Sequence, residues 1–179
     1  MEFEVSAEAK DKRLNRRVAV TVVVLSVAMG LGNIKDGNIV QAMDRAEAQS
    51  VDLWNEYQAT RTKLRVTEIA QVQLAASHVA PSAPLAADAA RYRSEAPRLA
   101  IQAQAAAARY DALNVHDDQF DASEALLTTA ISIAAVAALV ESGWVLAVAW
   151  AFASCGLVMS VCGFAGLPFH PSILSGLLG

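Results

Sequence analysis

Charged residues are missing from the last part of this sequence, since residues 142–179 contain no Asp, Glu, Lys or Arg. A soluble domain seldom leaves so long a segment uncharged, because its surface must be hydrated. Two more uncharged apolar segments, residues 18–34 and 125–140, lie earlier in the chain, and hydrophobic residues make up 55% of the composition. These features favour a membrane protein over a water-soluble globular domain.

The sequence motifs of common enzymes and of nucleic-acid-binding proteins are also missing. No G-x-S-x-G, Walker A, H-E-x-x-H or paired C-x-x-C motif occurs. The two cysteines, Cys155 and Cys162, would lie about 10 Å apart along a helix, which is too far for a disulfide. The net charge is -4 and the basic residues are dispersed, so no phosphate-binding patch is indicated. We therefore expect no catalytic activity, no cofactor and no nucleic-acid partner.

Three apolar segments predict three transmembrane helices in an all-α membrane protein. Residues 1–17 form a basic N-terminal segment, and residues 18–34 form the first transmembrane helix. The second transmembrane helix is predicted at residues 121–140 and the third at residues 144–164, followed by an apolar tail at residues 165–179. Only a short Glu-Ser-Gly sequence separates the last two helices, which predicts a C-terminal transmembrane hairpin.

The distribution of charge predicts how the chain is oriented. Five of the 14 Lys and Arg residues fall within the first seventeen positions, and positive charges beside a span stay in the cytoplasm. We therefore expect a multi-pass membrane protein, surrounded by the lipid bilayer, with a cytoplasmic N-terminus. Asp121 and Glu124 have the spacing of a capping box, which predicts that the second transmembrane helix begins at Asp121.

Residues 35–120 predict an extramembrane antiparallel helical hairpin with coiled-coil character, broken at residues 81–84 by two prolines. In its first helix, residues that recur three or four positions apart predict an interaction stripe that includes Trp54, Tyr57 and Leu64. Either this stripe binds a second copy or another subunit, or the two helices of the hairpin cover it themselves. The wider stripe also contains Val40, Met43, Glu47, Val51, Leu53, Gln58 and Arg61.

An acidic cluster precedes the second transmembrane helix. His116, Asp117 and Asp121 are weak candidates for a metal site, because the cluster contains one histidine and no recognisable loop such as an EF-hand. The alternative is a hydrated rim, in which acidic side chains are favoured near the N-terminus of a helix by its dipole. We favour the rim and expect no bound metal.

Small residues are frequent in the predicted transmembrane hairpin. Ala134 with Ala138, and Ala147 with Ala151, have the spacing that permits close contact between helices in lipid. Part of this surface packs the hairpin itself, and the remainder predicts lateral association. Together with the stripe at Trp54, it favours a homo-oligomeric scaffold or an accessory subunit of a larger membrane complex.

A pore is the alternative function. Thr128, Thr129 and Ser132 form a mildly polar patch on the second transmembrane helix, and an oligomer could line a channel with such residues. Hydroxyl side chains in membrane helices more often bond to neighbouring helices, so the pore is the less favoured hypothesis. A sensor of envelope stress is a third class, which no residue supports directly.

Two segments of the sequence are similar to parts of one protein family. WNEYQATRTK resembles its tryptophan-x-x-tyrosine-glutamine-alanine signature, and HDDQFDASEALL, followed by two apolar helices, is similar to the family's end. The family is a bacterial family of small membrane proteins, domain-of-unknown-function family 4337. The resemblance implies a protein of the bacterial inner membrane with three spans and a helical middle, and it implies no established activity. It is carried by Trp54, Tyr57, Gln58, Ala59, Lys63, His116, Phe120, Asp121, Glu124, Ala125 and Leu126.

Overall fold

A computed structural model of the chain describes the backbone of residues 2–169 and the side chains of residues 12–169, and this part contains only helices. The helices are α1, Glu2–Ala76, α2, Ala83–Leu139, and α3, Gly143–Ala165. The predicted all-α class is confirmed. Each of the three helices is long and apolar enough to cross a membrane.

All three helices end in the same hydrogen-bonded motif, in which one residue turns into the left-handed region. At the end of α1, His78 has a φ of 56°, and the Val79 N–H donates to the Leu74 carbonyl at 2.9 Å. Glu141, with a φ of 51°, closes α2 in the same way, and Gly166, with a φ of 65°, closes α3. These bonds satisfy carbonyl groups that the helix itself leaves free. Of the three residues in the left-handed region, only Gly166 is a glycine. The end of α3 is therefore easier to recognise in the sequence than the ends of α1 and α2.

The predicted start of a helix at Asp121 is wrong. Asp121 lies inside α2, which continues without interruption from Ala83 to Leu139. The alanine-rich sequence before it has a high helix propensity, so the backbone N–H groups near Asp121 already bond to the preceding turn and need no cap. Pro97 also lies within α2.

The chain forms two compact units. Unit 1 comprises Met1–Gln41 and Leu113–Gly179, and it contains the start of α1, the end of α2 and all of α3. Its interior holds two apolar clusters, each with residues from all three helices. Because Val18 packs with Leu146 and Leu25 packs with Ala153, α1 and α3 run in the same direction, with α2 antiparallel to both. The buried members are Val18, Ala134, Ala137, Leu146 and Ala149 in one cluster, and Leu25, Leu127, Ala130 and Ala153 in the other.

Unit 2, Ala42–Ala112, contains the rest of α1 and α2. The Ser50 hydroxyl donates to the Ala103 carbonyl at 3.3 Å, and Arg93 pairs with Glu68 at 2.7 Å. These two pairs show that the helices run in opposite directions. The side chains of the seam between them are spaced alternately three and four residues apart, which places them on one face of each helix. They are Met43, Ala46, Ser50, Leu53, Tyr57, Thr60, Leu64 and Thr67 on α1, and Ala89, Tyr92, Ala96, Leu99, Ala103 and Ala106 on α2.

This packed seam corrects the predicted stripe on α1. Leu53, Tyr57 and Leu64 belong to the seam, but Glu47, Val51, Gln58 and Arg61 are exposed outside it. Small and polar residues such as Ala46, Ser50 and Thr60 are packed in the seam instead. Small side chains let two helices approach closely, and a search for bulky apolar residues passes over them.

Candidate functional site

The Phe120 ring of α2 packs closely against α3 in unit 1. A Cβ atom at Gly163 would lie only 2.7 Å from Cε2 of Phe120, so the ring occupies space that only glycine leaves open. The ring also packs edge-on against Phe164, with centroids 5.2 Å apart. About two turns earlier on α3, Gly156 packs against the Leu127 side chain in the same manner. A Cβ atom at Gly156 would lie 2.9 Å from Cδ2 of Leu127. Two glycines therefore fix how α2 and α3 pack.

A buried amide ties the segment after α3 to α2. Gln119 has no exposed surface, and its Nε2 donates to the carbonyl of Leu167 at 2.8 Å and to the carbonyl of Phe169. Its Oε1 lies 3.1 Å from Nδ1 of His116. Because the amide nitrogen faces the two carbonyls, the oxygen accepts, and His116 must carry its proton on Nδ1. Sequence reasoning missed Gln119, whose partners lie 48 and 50 residues away.

Two carboxyl groups face one another beside this packed region, outside the predicted spans. The side chain of Asp36 on α1 hydrogen-bonds with that of Asp117 on α2. Desolvation, together with the negative charge of Asp117, raises the pKa of Asp36 to about 6. Desolvation also raises the pKa of Asp117. A shared proton is the arrangement that best accommodates two such groups. The Oδ1 atom of Asp36 is buried and has no hydrogen-bond partner among the described residues.

The weak metal candidates do not assemble into a ligand set. The side chain of His116 hydrogen-bonds with that of Gln119, and the side chain of Asp117 hydrogen-bonds with that of Asp36. Asp121 is exposed. Among the described residues, no group of three His, Cys, Asp or Glu side chains is placed to hold a metal ion.

The aromatic residues of the predicted interaction stripe are only half covered. Trp54 and Tyr57 pack edge to face, with centroids 5.4 Å apart. The guanidinium of Arg61 lies over the Tyr57 ring and donates to its hydroxyl at 3.1 Å. Leu64 is half-buried in the seam. Tyr57 and Leu64 therefore take part in the seam of unit 2, and Trp54 packs against Tyr57 on the same helix.

A different apolar surface of unit 2 is exposed, and sequence reasoning did not identify it. Val66, Ile69 and Val72 lie outside the seam, with 61%, 57% and 69% of their surfaces exposed. Spaced three residues apart, they occupy about a third of the helix circumference. We call these three residues the outer strip. The sequence does contain a signal for this surface, which is three β-branched residues at regular spacing. The prediction relied instead on the aromatic residues earlier in the helix.

The four small residues predicted for helix contact fall on two different sides of unit 1. Ala134 is completely buried and Ala138 packs beside it in the same cluster. Ala147 and Ala151 of α3 are exposed. The pair on α2 therefore packs the chain's own bundle, and only the pair on α3 lies on an accessible surface.

The hydroxyl groups considered for a pore bond mostly within their own helix. Thr129 donates to the Ala125 carbonyl at 2.8 Å, and Ser132 donates to the Thr128 carbonyl at 3.0 Å. Thr128 reaches the Met29 sulfur at 3.5 Å. Hydroxyls satisfied in this way are compatible with a lipid-facing surface.

Comparison with known proteins identifies one family. The family model described as Domain of unknown function (DUF4337) matches residues 14–166, a range that includes all of unit 2 and part of unit 1 and ends at the residue that closes α3. Searches of curated proteins and of solved structures found no match.

Proposed function

The chain belongs to the DUF4337 family, and from this premise we propose that it is a structural or accessory membrane protein that assembles with copies of itself or with other membrane subunits. Unit 1 is the embedded part, with three spans, and unit 2 is the extramembrane helical hairpin of coiled-coil type. A catalytic role is not part of this function.

The outer strip is the observation that carries the proposal. Residues 66, 69 and 72 expose three bulky apolar side chains on a part of the chain that lies outside the predicted spans. Exposed apolar surface of this kind is typical of a protein interface, because water solvates it poorly. The two helices of unit 2 already cover their seam, so the strip is available to another chain.

Measurement of protein mass in mild detergent tests the assembly. We expect a wild-type mass above that of one chain, and a lower mass when Val66→Ser and Ile69→Ser remove the apolar side chains. Val79→Ser is the matched control, because Val79 is 53% exposed, close to the value for Ile69, but lies in the connection between α1 and α2. A wild-type protein that purifies as a lone monomer would count against assembly, whereas a second polypeptide in constant ratio would identify an accessory subunit.

The proposed location is the bacterial inner membrane, with the N-terminus in the cytoplasm. The support is the basic segment before the first span and the exposed apolar residues on all three helices of unit 1, such as Val23, Val136 and Val158. In a variant without Cys155 and Cys162, new cysteines at Glu141 and Ser82 report the two sides. A membrane-impermeant thiol reagent added to intact cells should label position 82 and not position 141. The reverse pattern would invert the orientation.

A further inference from the structure

A groove runs between α1 and α3 on the surface of unit 1. Its main part has a volume of about 260 Å³ and is lined by Val20, Val24 and Leu157, among others. It adjoins a recess of about 240 Å³ that Arg16 and Arg17 line. Val20, Thr21 and Trp150 line both parts, so the two form one continuous depression.

Two polar side chains inside the groove already donate hydrogen bonds within the protein. The Trp150 indole N–H donates to the Thr21 hydroxyl at 3.0 Å, which joins α1 to α3. The Ser154 hydroxyl donates to the Trp150 carbonyl at 2.7 Å. A water molecule in the groove would therefore find few hydrogen-bond partners, whereas a hydrocarbon chain would pack against valine and leucine side chains. The chemistry of the groove favours an apolar occupant.

The end of the groove carries positive charge. Arg16 and Arg17 are exposed, and neither forms an ion pair with the acidic residues in the described part of the chain. They directly precede the first predicted span, at the depth where lipid headgroups lie. A guanidinium group can donate two parallel hydrogen bonds to a phosphate.

We infer that this groove binds an anionic phospholipid, with an acyl chain against Val20, Val24 and Leu157 and the headgroup phosphate at Arg16 and Arg17. The inference rests on the membrane embedding in the proposed function and goes beyond it by assigning a ligand class and a position. Charge complementarity selects the anionic headgroup, because a zwitterionic lipid brings its own cation close to the two arginines.

Quenching of Trp150 fluorescence measures occupancy of the groove directly. Trp54→Phe and Trp144→Phe leave Trp150 as the only tryptophan of the full-length chain. The protein is placed in vesicles that contain brominated phosphatidylglycerol in unbrominated phosphatidylcholine, or brominated phosphatidylcholine in unbrominated phosphatidylglycerol. Two contacts between arginine and phosphate should favour phosphatidylglycerol over phosphatidylcholine in the groove by roughly tenfold or more.

Two pairs of variants separate the groove from a general attraction between the basic segment and anionic lipid. Arg16→Gln with Arg17→Gln should abolish the preference, whereas Lys12→Gln with Arg13→Gln, which removes the same charge from residues that do not line the groove, should retain most of it. Arg16→Lys with Arg17→Lys keeps the charge without the paired hydrogen bonds, and it should show an intermediate preference.

Three results would overturn the inference. Equal quenching by the two lipids in the wild type would remove the headgroup preference. Equal loss in the Lys12, Arg13 variant would reassign the effect to the basic segment as a whole. Absence of quenching by either lipid would contradict the membrane embedding itself, so that failure of the proposed function is distinguishable from failure of the lipid site alone.

Discussion

Gly163 of α3 lies directly against the aromatic ring of Phe120 on α2. The nearest ring atoms would be 2.7 Å and 2.8 Å from a Cβ atom at this position. The ring has little room to withdraw, because it is 3% exposed and packs edge-on against Phe164. On the α1 side, a Cβ atom at Gly32 would be 3.6 Å from the same ring. One aromatic side chain therefore requires a glycine in α3 and closely approaches a second glycine in α1.

Gly163→Ala should lower the free energy of unfolding by about 1–3 kcal/mol, since an added methyl group must displace a packed ring. Alanine is a better helix former than glycine by about 1 kcal/mol, which offsets part of this loss. The measurement is a denaturant titration in detergent micelles, followed by circular dichroism. Gly30→Ala is the control, because nothing lies within 4 Å of its Cβ position, and this change should be neutral or stabilising. Equal stability of the two variants would contradict the packing described for Phe120.

The sequence predicted the helices well because their signals are local. Long apolar segments, two prolines near position 82 and alanine-rich stretches each act over a few residues, and the three observed helices follow from them. The predicted cap at Asp121 failed because a capping sequence acts only where the helix begins. Helix propensity on both sides of Asp121 overrode the local spacing.

The side-chain contacts were less predictable because they join distant parts of the chain. Gln119 is an ordinary polar residue in the sequence, and its role depends on carbonyl groups 48 and 50 positions away. Nothing in the sequence distinguishes Asp36 from the other acidic residues, because its partner Asp117 comes close only when α1 and α2 pack side by side. The seam of unit 2 was missed in part for another reason, since Ala46, Ser50 and Thr60 are covered although they are not bulky and apolar.

Gln119→Met should destabilise the segment that follows α3. The variant keeps a similar side-chain volume but removes both donors, so the carbonyl groups of Leu167 and Phe169 lose these partners. Both hydrogen bonds are only partly buried, so the loss of each costs about 0.5–1.5 kcal/mol. Hydrogen exchange of the amides near residues 162–169 measures the effect and should become faster. Gln104→Met, at an exposed position of the same helix, should leave the exchange unchanged, and similar acceleration in both variants would contradict the role of Gln119.

The carboxyl pair predicts that stability falls as pH rises. Burial, followed by repulsion from Asp117, Asp121 and Glu124, raises the pKa of Asp36 from 3.8 to about 6 in the folded chain. The folded state therefore holds a proton that the unfolded state has released, so the contribution is complete below about pH 4 and is lost as pH rises through about 6. Because the group is partly solvated, the loss should be at most about 1 kcal/mol.

Asp36→Asn tests this pH dependence, because an amide keeps the hydrogen-bonding capacity of the protonated acid without its ionisation. The variant should be more stable than the wild type at pH 7.5, by at most about 1 kcal/mol, and its stability should change less between pH 4 and pH 7.5. Unfolding titrations across this range provide the comparison. Asp44→Asn, at an exposed position of the same helix, should retain the wild-type pH profile. If both variants retain it, Asp36 does not hold the proton.

Ala134→Leu and Ala151→Leu should separate packing within one chain from association between chains. Ala134 is completely buried among Val18, Ala137, Leu146 and Ala149, so a larger side chain should lower the free energy of unfolding by about 1–3 kcal/mol. Ala151 is exposed on α3, so a larger side chain can extend outward and stability should be nearly unchanged. If the outer face of α3 contacts another copy, Ala151→Leu should instead reduce the mass measured in mild detergent, because small residues permit that close approach. Unfolding titrations and mass measurements on the same two variants distinguish these effects, and a loss of stability confined to Ala151→Leu would contradict the placement of both residues.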